Sequence, residues 1–412
     1  MFPNPHEALP LPPRPSLDHY KKLAKGLLKA ARSGDEAAIG DWLATRQTAS
    51  RLEEFARRKL ADHPNLNKAQ FVIARFHGFE SWPKFSSHLQ ALARQSSRVS
   101  KFEAAADAIV IGDLATLRRL LREDPQLSLA TSTREHRATL LHYVAANGVE
   151  NYRQKTPPNI VEIADLLLNS GAEIDAAANV YGGGCTTLGL AATSVHPERA
   201  GVQLALLQKL LDHGARLEKS IVFACLANGR PKAAEFLAAR GAPLDFVEAA
   251  GLGRLDMIQT LFHEERQTEA LRFASAYGRN PVVEYLLARG ADHASQDRNG
   301  QTALHHAVIG GHPDTVKLLL RHNVPLELKN RYGGTVLGQA VWSAAHGGDV
   351  EVYIAIFEAL VNAGAKIRES HPPVNPPVDS WLAAHGSRAD PTLHWYGEEP
   401  PASQVLLPAS AP

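Results

Sequence analysis

Apolar residues along this chain fall in short helical stripes that share a common ending. That ending reads LLLNSGAEID at 166–175, LLDHGARLE at 210–218, FLAARGAPLD at 236–245, YLLARGADHA at 285–294 and ALVNAGAKI at 359–367. In each copy an apolar helical face is followed by a glycine (Gly171, Gly214, Gly241, Gly290 or Gly364) just past the helix end, where a left-handed residue is needed. From Gly290 to Asn323, which takes the glycine's place in the next copy, the step is 33 residues. The 49 residues from Gly241 to Gly290 leave room for one shortened unit around 247–265.

The clearest unit is DRNGQTALHHAVIGGHPDTVKLLLRHNVPLE, residues 297–327. Asp297 to Gly300 has the composition of a turn, with Gly300 able to take positive φ. Thr302 is placed to cap a first helix, and Leu304 and Ala307 give it a narrow apolar stripe. Gly311, His312 and Pro313 end that helix and open a second, whose buried face is Val316, Leu318, Leu319 and Leu320. Residues 148–160, 193–203 and 343–350 lengthen the link between the two helices of their units.

This unit resembles the ankyrin consensus D-x-x-G-x-T-P-L-H-x-A-A-x-x-G-H, with Ala303 in place of the proline and Asn323-Val324 in place of Gly-Ala. The resemblance implies an all-α fold: an ankyrin-repeat solenoid of helix-turn-helix repeats with short hairpin turns, about eight of them, over 101–368. It is preceded by a small helical domain at 16–94, where Ser16 or Asp18 can cap a helix whose face is Leu23, Leu27 and Leu28. Residues 68–77, the Gly78 turn and the helix opened by Ser81-Trp82-Pro83 suggest a compact hairpin. Residues 1–15 are a proline-rich segment. Residues 369–412 are a proline-rich tail expected to be mostly extended, with Trp381-Leu382 able to dock on the repeats. LPPRPSLDHYKKLAKGLLKAARSGD and IARFHGFESWPKF are similar to an N-terminal helical segment of bacterial ankyrin proteins, and 179–215 to one of their units.

A binding role is what the resemblance implies, with no catalytic residues. Repeat cores are uniform, while turn tips and the exposed side of the first helix vary along a concave groove. The positions this leaves for a macromolecular, most simply protein, partner are Arg298, Asn299, Gln301 and Ile309 in the clearest unit. Arg331, Tyr332 and Trp342 follow in the next, and Tyr181 stands earlier. The competing structural reading packs Tyr332 and Trp342 on the 343–350 loop.

Composition narrows this further. Hydrophobic residues are 44% and charged residues 21%, enough apolar material for a continuous core. No apolar stretch approaches the roughly 20 residues that span a bilayer, so no membrane partner is expected. The N-terminus has no secretory pattern, which makes the cytoplasm the expected location. Two cysteines, Cys185 and Cys225, cannot form a disulfide framework. Abundant alanine and an excess of arginine over lysine suit a GC-rich bacterial genome.

Residues 1–100 hold 16 Lys+Arg against 9 Asp+Glu, whereas 101–412 hold 28 against 34. A basic head admits a second reading, a nucleic-acid-associated regulator with a helix-turn-helix-like head. The would-be reading helix, however, offers only Lys84 with Ser86, Ser87 and Gln90, and Trp82, Phe79 and Phe85 suit packing better. A third reading is a small-molecule binder or enzyme built on the long loops.

Nineteen histidines oblige a search for chemistry. His305, His306 and His312 cluster in one unit, and His142 stands in a similar LLH context, but the T-x-L-H histidine suits hydrogen bonding to neighbouring turns. No H-E-x-x-H or paired C-x-x-C is present. Gly182-Gly183-Gly184-Cys185-Thr186-Thr187 lacks the Gly-Lys-Ser/Thr ending of a phosphate loop and reads as a turn. Cys185 with His196 is the one nucleophile pairing worth weighing. The expectation is a non-enzyme without cofactor or metal.

Overall fold

The computed structural model describes residues 7–33, 35, 37–44, 50–393 and 395. Among these it is helical nearly throughout, an all-α ankyrin-type fold as the resemblance implies. Two compact units divide the chain, one up to Arg216 and one from Leu217. That division falls inside the repeats, not between head and repeats.

In the first unit, helices Leu17–Ala31, Ala38–Ala44, Ser50–Leu60, Leu66–Phe76 and Trp82–Leu92 enclose a core that includes Tyr20, Leu27, Leu52, Val72, Phe79 and Phe85. Ser16, not Asp18, caps the first helix. Three helix pairs follow: Arg98–Ile111 with Leu114–Glu123, Leu140–Ala145 with Ile160–Asn169, and Thr187–Thr193 with Gln203–Asp212. Leu140–Ala145 is wound as a 3-10 helix, and all six of its residues are buried.

The loop at 130–139 ties the head to these pairs. Glu135 N–H donates to the Gly78 carbonyl at 2.9 Å, Arg75 pairs with Glu135 at 2.7 Å, and His88 Nδ1 meets Thr133 Oγ1 at 2.7 Å. Phe85, His88 and Leu89, on the helix that would have read DNA, are buried in this packing, and Lys84 is ion-paired with Glu80. Phe79 and Phe85 thus pack as the sequence suggested, while Lys84, Ser87 and Gln90 of the same helix stay exposed and Ser86 is half-buried.

Behind the loop lies a buried ionic cluster with no counterpart in the sequence pattern. Arg134 reaches Glu103 at 2.5 Å and Glu150 at 2.9 Å, and Arg153 reaches Glu103 at 2.8 Å and Asp107 at 2.7 Å. Glu150 is wholly buried, with 0% exposure. Burial pushes its carboxyl up, but Arg134 and then His136 outweigh that and hold it well below the usual range. For Glu103, burial likewise opposes Arg134 and Arg153, and the balance leaves it at about 2. Neither carboxylate can stay charged here without its arginines.

The second unit has five pairs among the described residues. They are Ile221–Ala227 with Pro231–Ala238, Phe246–Leu252 with Leu255–Thr260, Gln267–Ala276 with Asn280–Ala288, Ala303–Ile309 with Pro313–Leu320, and Val336–Ala345 with Val350–Asn362. Phe246–Leu252 with Leu255–Thr260 is the shortened unit. Ala270, Ala274, Ala303, Ala307, Ala340 and Ala344 are buried where first helices meet, so small side chains set their close spacing. Gly171, Gly214, Gly241, Gly290 and Gly364 take φ between 85° and 98°, and Asn323 takes 53° in the same seat.

The tail departs from the extended expectation. Residues Pro376–Ala384 form a helix capped by Asn375, with both prolines in its first turn, where a missing N–H costs nothing. Val378 and Leu382 are buried, and Trp381 lies against Phe357 at 5.2 Å. Ser370–His371 and Arg388–Ala389 pair in parallel on either side of that helix. Paired prolines read as breakers in sequence; here they open a helix.

Replacing Arg153 by methionine should cost about 3–5 kcal/mol, the penalty of leaving a buried charge unpaired. Urea unfolding measures it. A loss below about 1 kcal/mol, the worth of an exposed pair, would mean that the cluster is solvated.

Candidate functional site

Two adjacent turns and the helices they feed repeat the same hydrogen-bonded pattern in the second unit. In the turn at 297–301, Asp297 Oδ1 accepts from the amides of Asn299 (2.8 Å) and Gln301 (2.9 Å). Its Oδ2 faces His306 Nε2 at 3.1 Å. Burial pushes the Asp297 carboxyl up, yet the His306 and amide bonds outweigh it and hold it below the usual range. One repeat later Asn330 does the same work: Oδ1 accepts from Tyr332 and Gly334 amides, both at 3.0 Å, and Nδ2 donates to Gln339 Oε1 at 3.1 Å. An Asp–His pair and an Asn–Gln pair thus fill the same register.

The two turns are bolted to each other. Arg331 N–H donates to the Asn299 carbonyl at 2.8 Å, and Arg331 Nη1 donates to Asn299 Oδ1 at 3.0 Å. Gln296 Nε2 donates to the carbonyls of Gly300 (2.7 Å) and Lys329 (3.0 Å). Gly300, at φ 71°, is required twice over: its conformation is left-handed, and a Cβ there would stand 3.0 Å from the backbone of Asn330 and Arg331.

Two T-x-L-H-type first helices are stapled to their turns. Thr302 Oγ1 accepts from His305 N–H at 3.4 Å, and Thr302 N–H donates to His305 Nδ1 at 3.3 Å, a reciprocal box. Thr139 N–H donates to His142 Nδ1 at 3.1 Å, and His142 Nε2 reaches the Cys185 carbonyl at 3.2 Å. Burial pushes His142 and His305 down to about 4. These histidines are neutral staples at neutral pH.

The expected contact residues divide. Arg298, Arg331 and Ile309 are exposed, Ile309 by 41%, and Tyr332 and Trp342 are half-buried. Ile309 and Trp342 occupy the same register 33 residues apart, as do Arg298 and Arg331. Asn299 departs from expectation: it is 6% exposed, because its side chain and carbonyl hold Arg331. Gln301 is half-buried, its backbone closing the turn with Asp297. Tyr181 is half-buried and donates its hydroxyl to Asn147 Oδ1 at 2.7 Å, a structural contact remote in sequence from the others. Trp342 packs on the 343–350 stretch through one residue of it, His346. Its helix runs to Ala345, and its ring stacks on His346 at 4.1 Å.

The chemical alternatives are taken up in structure. Cys185 Sγ donates to the Val180 carbonyl at 3.2 Å, and burial pushes the Cys225 thiol up to about 12. The long loops are folded onto themselves: Gln154 Nε2 donates to the Val149 carbonyl at 2.7 Å, and Gln203 Nε2 to the carbonyls of Ala191, Ala192 and Ser194. Among the described residues, no group of three or more His, Cys, Asp or Glu is placed to hold a metal ion. Sequence reading missed one constellation, His371 between Ser387 Oγ (2.9 Å) and Asp379 (3.1 Å). Ser387 is only 3% exposed, and Asp379 also accepts from Val374 N–H at 3.1 Å, so the trio closes the tail. No local spacing could have announced it.

Comparison with known proteins bears on this face directly. Residues 271–370 match the family model of ankyrin repeats (3 copies), so the chain carries ankyrin repeats there. The human transient receptor potential cation channel subfamily A member 1 is 38% identical over 93 residues, 20% of this chain and 8% of that protein. Human inhibitor of Bruton tyrosine kinase is 36% identical over 69 residues, 16% of this chain and 5% of that one. Ankyrin repeat domain-containing protein 13C of Danio rerio is 42% identical over 55 residues, 13% of this chain and 11% of that one. The matched part thus spans a small fraction of each relative.

His77 and His88 are also pushed down to about 4 by burial, alongside His142 and His305. The unfolded chain therefore binds more protons than the folded one between the ordinary histidine value near 6.5 and about 4. Stability should fall as pH drops through that window, before most carboxylates titrate. Urea midpoints at pH 7 and pH 5 measure it, and equal midpoints would contradict neutral burial.

Proposed function

We propose that the chain is an adaptor that binds a protein partner along the row of turn tips and first-helix positions between Arg298 and Trp342. The observation that carries the proposal is the repeated register. A cation at each turn tip (Arg298, Arg331) and an apolar side chain at each first helix (Ile309, Trp342) recur across two turns joined by their own hydrogen bonds. A surface fixed before binding loses little entropy on association. Tryptophan and arginine are also the residue types that most often dominate interface energy. Asn299 and Gln301 serve as supports of that face in this reading, and Tyr332, beneath the Arg331 guanidinium at 4.8 Å, as its rim; Tyr181, bonded to Asn147 in the first unit, is not part of it.

A bacterial cytoplasm is the setting we propose, on the composition: abundant alanine, an excess of arginine over lysine, and only two cysteines in the chain. The match to ankyrin repeats supports a binding role over a catalytic one.

The test replaces Ile309 and Trp342 together by alanine in the full chain and compares capture of proteins from the source lysate. The variant should lose the wild-type partner, or bind it at least about tenfold more weakly, the equivalent of about 1.4 kcal/mol, while its thermal unfolding stays cooperative. A variant that captures the same partner undiminished would move the working surface elsewhere.

A further inference from the structure

Trp342 and His346 form a flat aromatic shelf. Their rings stack at 4.1 Å and 16°, and His346 Nδ1 lies 2.7 Å from the Trp342 carbonyl, where an Nδ1–H donor fixes the ring one turn above the indole. The same device recurs in the tail, where Trp381 and His385 stack at 3.9 Å and 21° with His385 Nδ1 2.8 Å from the Trp381 carbonyl. The two differ in what lies against them. Trp381 meets Phe357 of the last repeat helix at 5.2 Å, a contact internal to the core. The Trp342 shelf is met by Trp395, whose ring stands edge-on to His346 at 5.9 Å and 77°.

Trp395 is brought there by folded structure. The tail helix is anchored through Val378 and Leu382, and the parallel pairing of 370–371 with 388–389 returns the chain toward the repeats. Asp390 N–H donates to the His371 carbonyl at 2.8 Å. The Asp390 carboxylate then accepts from Thr392 N–H at 2.9 Å and Thr392 Oγ1 at 2.7 Å, fixing a turn three residues before the tryptophan. Trp395 is half-buried and packs against the edge of the second unit's core.

The geometry points to a receptor for one aromatic side chain at Trp342–His346, which Trp395 fills in the isolated chain and an aromatic residue of the protein partner fills in the complex. This rests on the proposed turn-tip face and deepens it by naming what the partner presents. Edge-to-face contact with a stacked pair is selective for a flat ring, because the positive ring edge meets a negative ring face. The chain's own sequence supplies the rest of the pattern: Glu398 and Glu399 follow Trp395 by three and four residues. The exposed cations Arg298 and Arg331 stand on the turns of the same two repeats. The partner segment is therefore an aromatic residue with acidic residues close behind it. Trp395, being tethered, competes at an effective concentration on the order of millimolar.

The experiment uses the full chain and a fluorescent peptide with the sequence of residues 390–400, DPTLHWYGEEP. Anisotropy is followed to about 1 mM protein, the scale of the tethered competitor. The Trp395→Ala chain should bind the peptide at least tenfold more tightly than wild type. Adding Trp342→Ala should abolish binding, and adding Trp342→Phe in its place should retain it. A peptide with alanine for its tryptophan should not bind. Equal affinity of wild type and Trp395→Ala, or binding that survives Trp342→Ala, would overturn the inference. So would absence of binding to a Trp395→Ala chain that still unfolds cooperatively. In each of those cases the capture experiment with Ile309 and Trp342 replaced still decides the turn-tip reading, because it uses the natural partner and leaves Trp395 in place.

Discussion

First helices of six to ten residues cannot hold themselves together in water, since nucleating a helix costs more than so few hydrogen bonds return. Everything else here depends on how that deficit is met. Three of the short first helices are stapled at their start by a reciprocal side-chain box, Thr139 with His142, Asp245 with Glu248 and Thr302 with His305, and two more by a single threonine cap, Thr186 and Thr335. Each is then pressed against the next through alanines that let the backbones approach. The staple satisfies buried polar groups that would otherwise each cost about 1–3 kcal/mol. The alanines remove the bulk that would keep neighbouring turns apart. Once helices sit that close, one turn can donate to the next, as Arg331 does to Asn299, and the row of tips becomes a rigid surface.

The first unit solves a related problem with charge. Loop 130–139 carries Arg134 into contact with the Phe79 ring at 5.5 Å while pairing it with Glu103 and Glu150. The head and the first helix pairs are thereby one body. That coupling buries Phe85, His88 and Leu89 of the helix Trp82–Leu92 and leaves Lys84, Ser87 and Gln90 exposed. A net charge describes an average; the placement of Phe85, His88 and Leu89 describes a face.

Much of this was legible in the sequence because ankyrin units are locally complete. Between Asp297 and Glu327, turn, cap, narrow stripe, proline-opened second helix and terminal left-handed residue all lie within one stretch, and each has a chemical signature. What escaped notice is non-local or context-dependent. Glu103, Arg134, Glu150 and Arg153 have no spacing that marks them as partners, and only folding brings them together. Pro376 and Pro377 read as an interruption because their helix is defined by Asn375 before them and by buried Val378 and Leu382 after them. Asn299 was read as an exposed tip because its neighbours Arg298 and Gln301 are turn residues too. Its burial follows from a bond to a residue 32 positions away. Of the candidate contact face, the register of Arg298, Ile309, Arg331 and Trp342 was visible, but which members support the face and which present it was not.

Amide hydrogen exchange on the full chain, with and without its captured partner, tests the central claim most directly, because it maps contact without altering a residue. The account predicts that added protection concentrates in peptides covering 297–312 and 330–346, with little change in 17–31 or 82–92. Protection centred on the head helices, or none at either turn, would contradict the claim that the bolted turn tips are where this protein works.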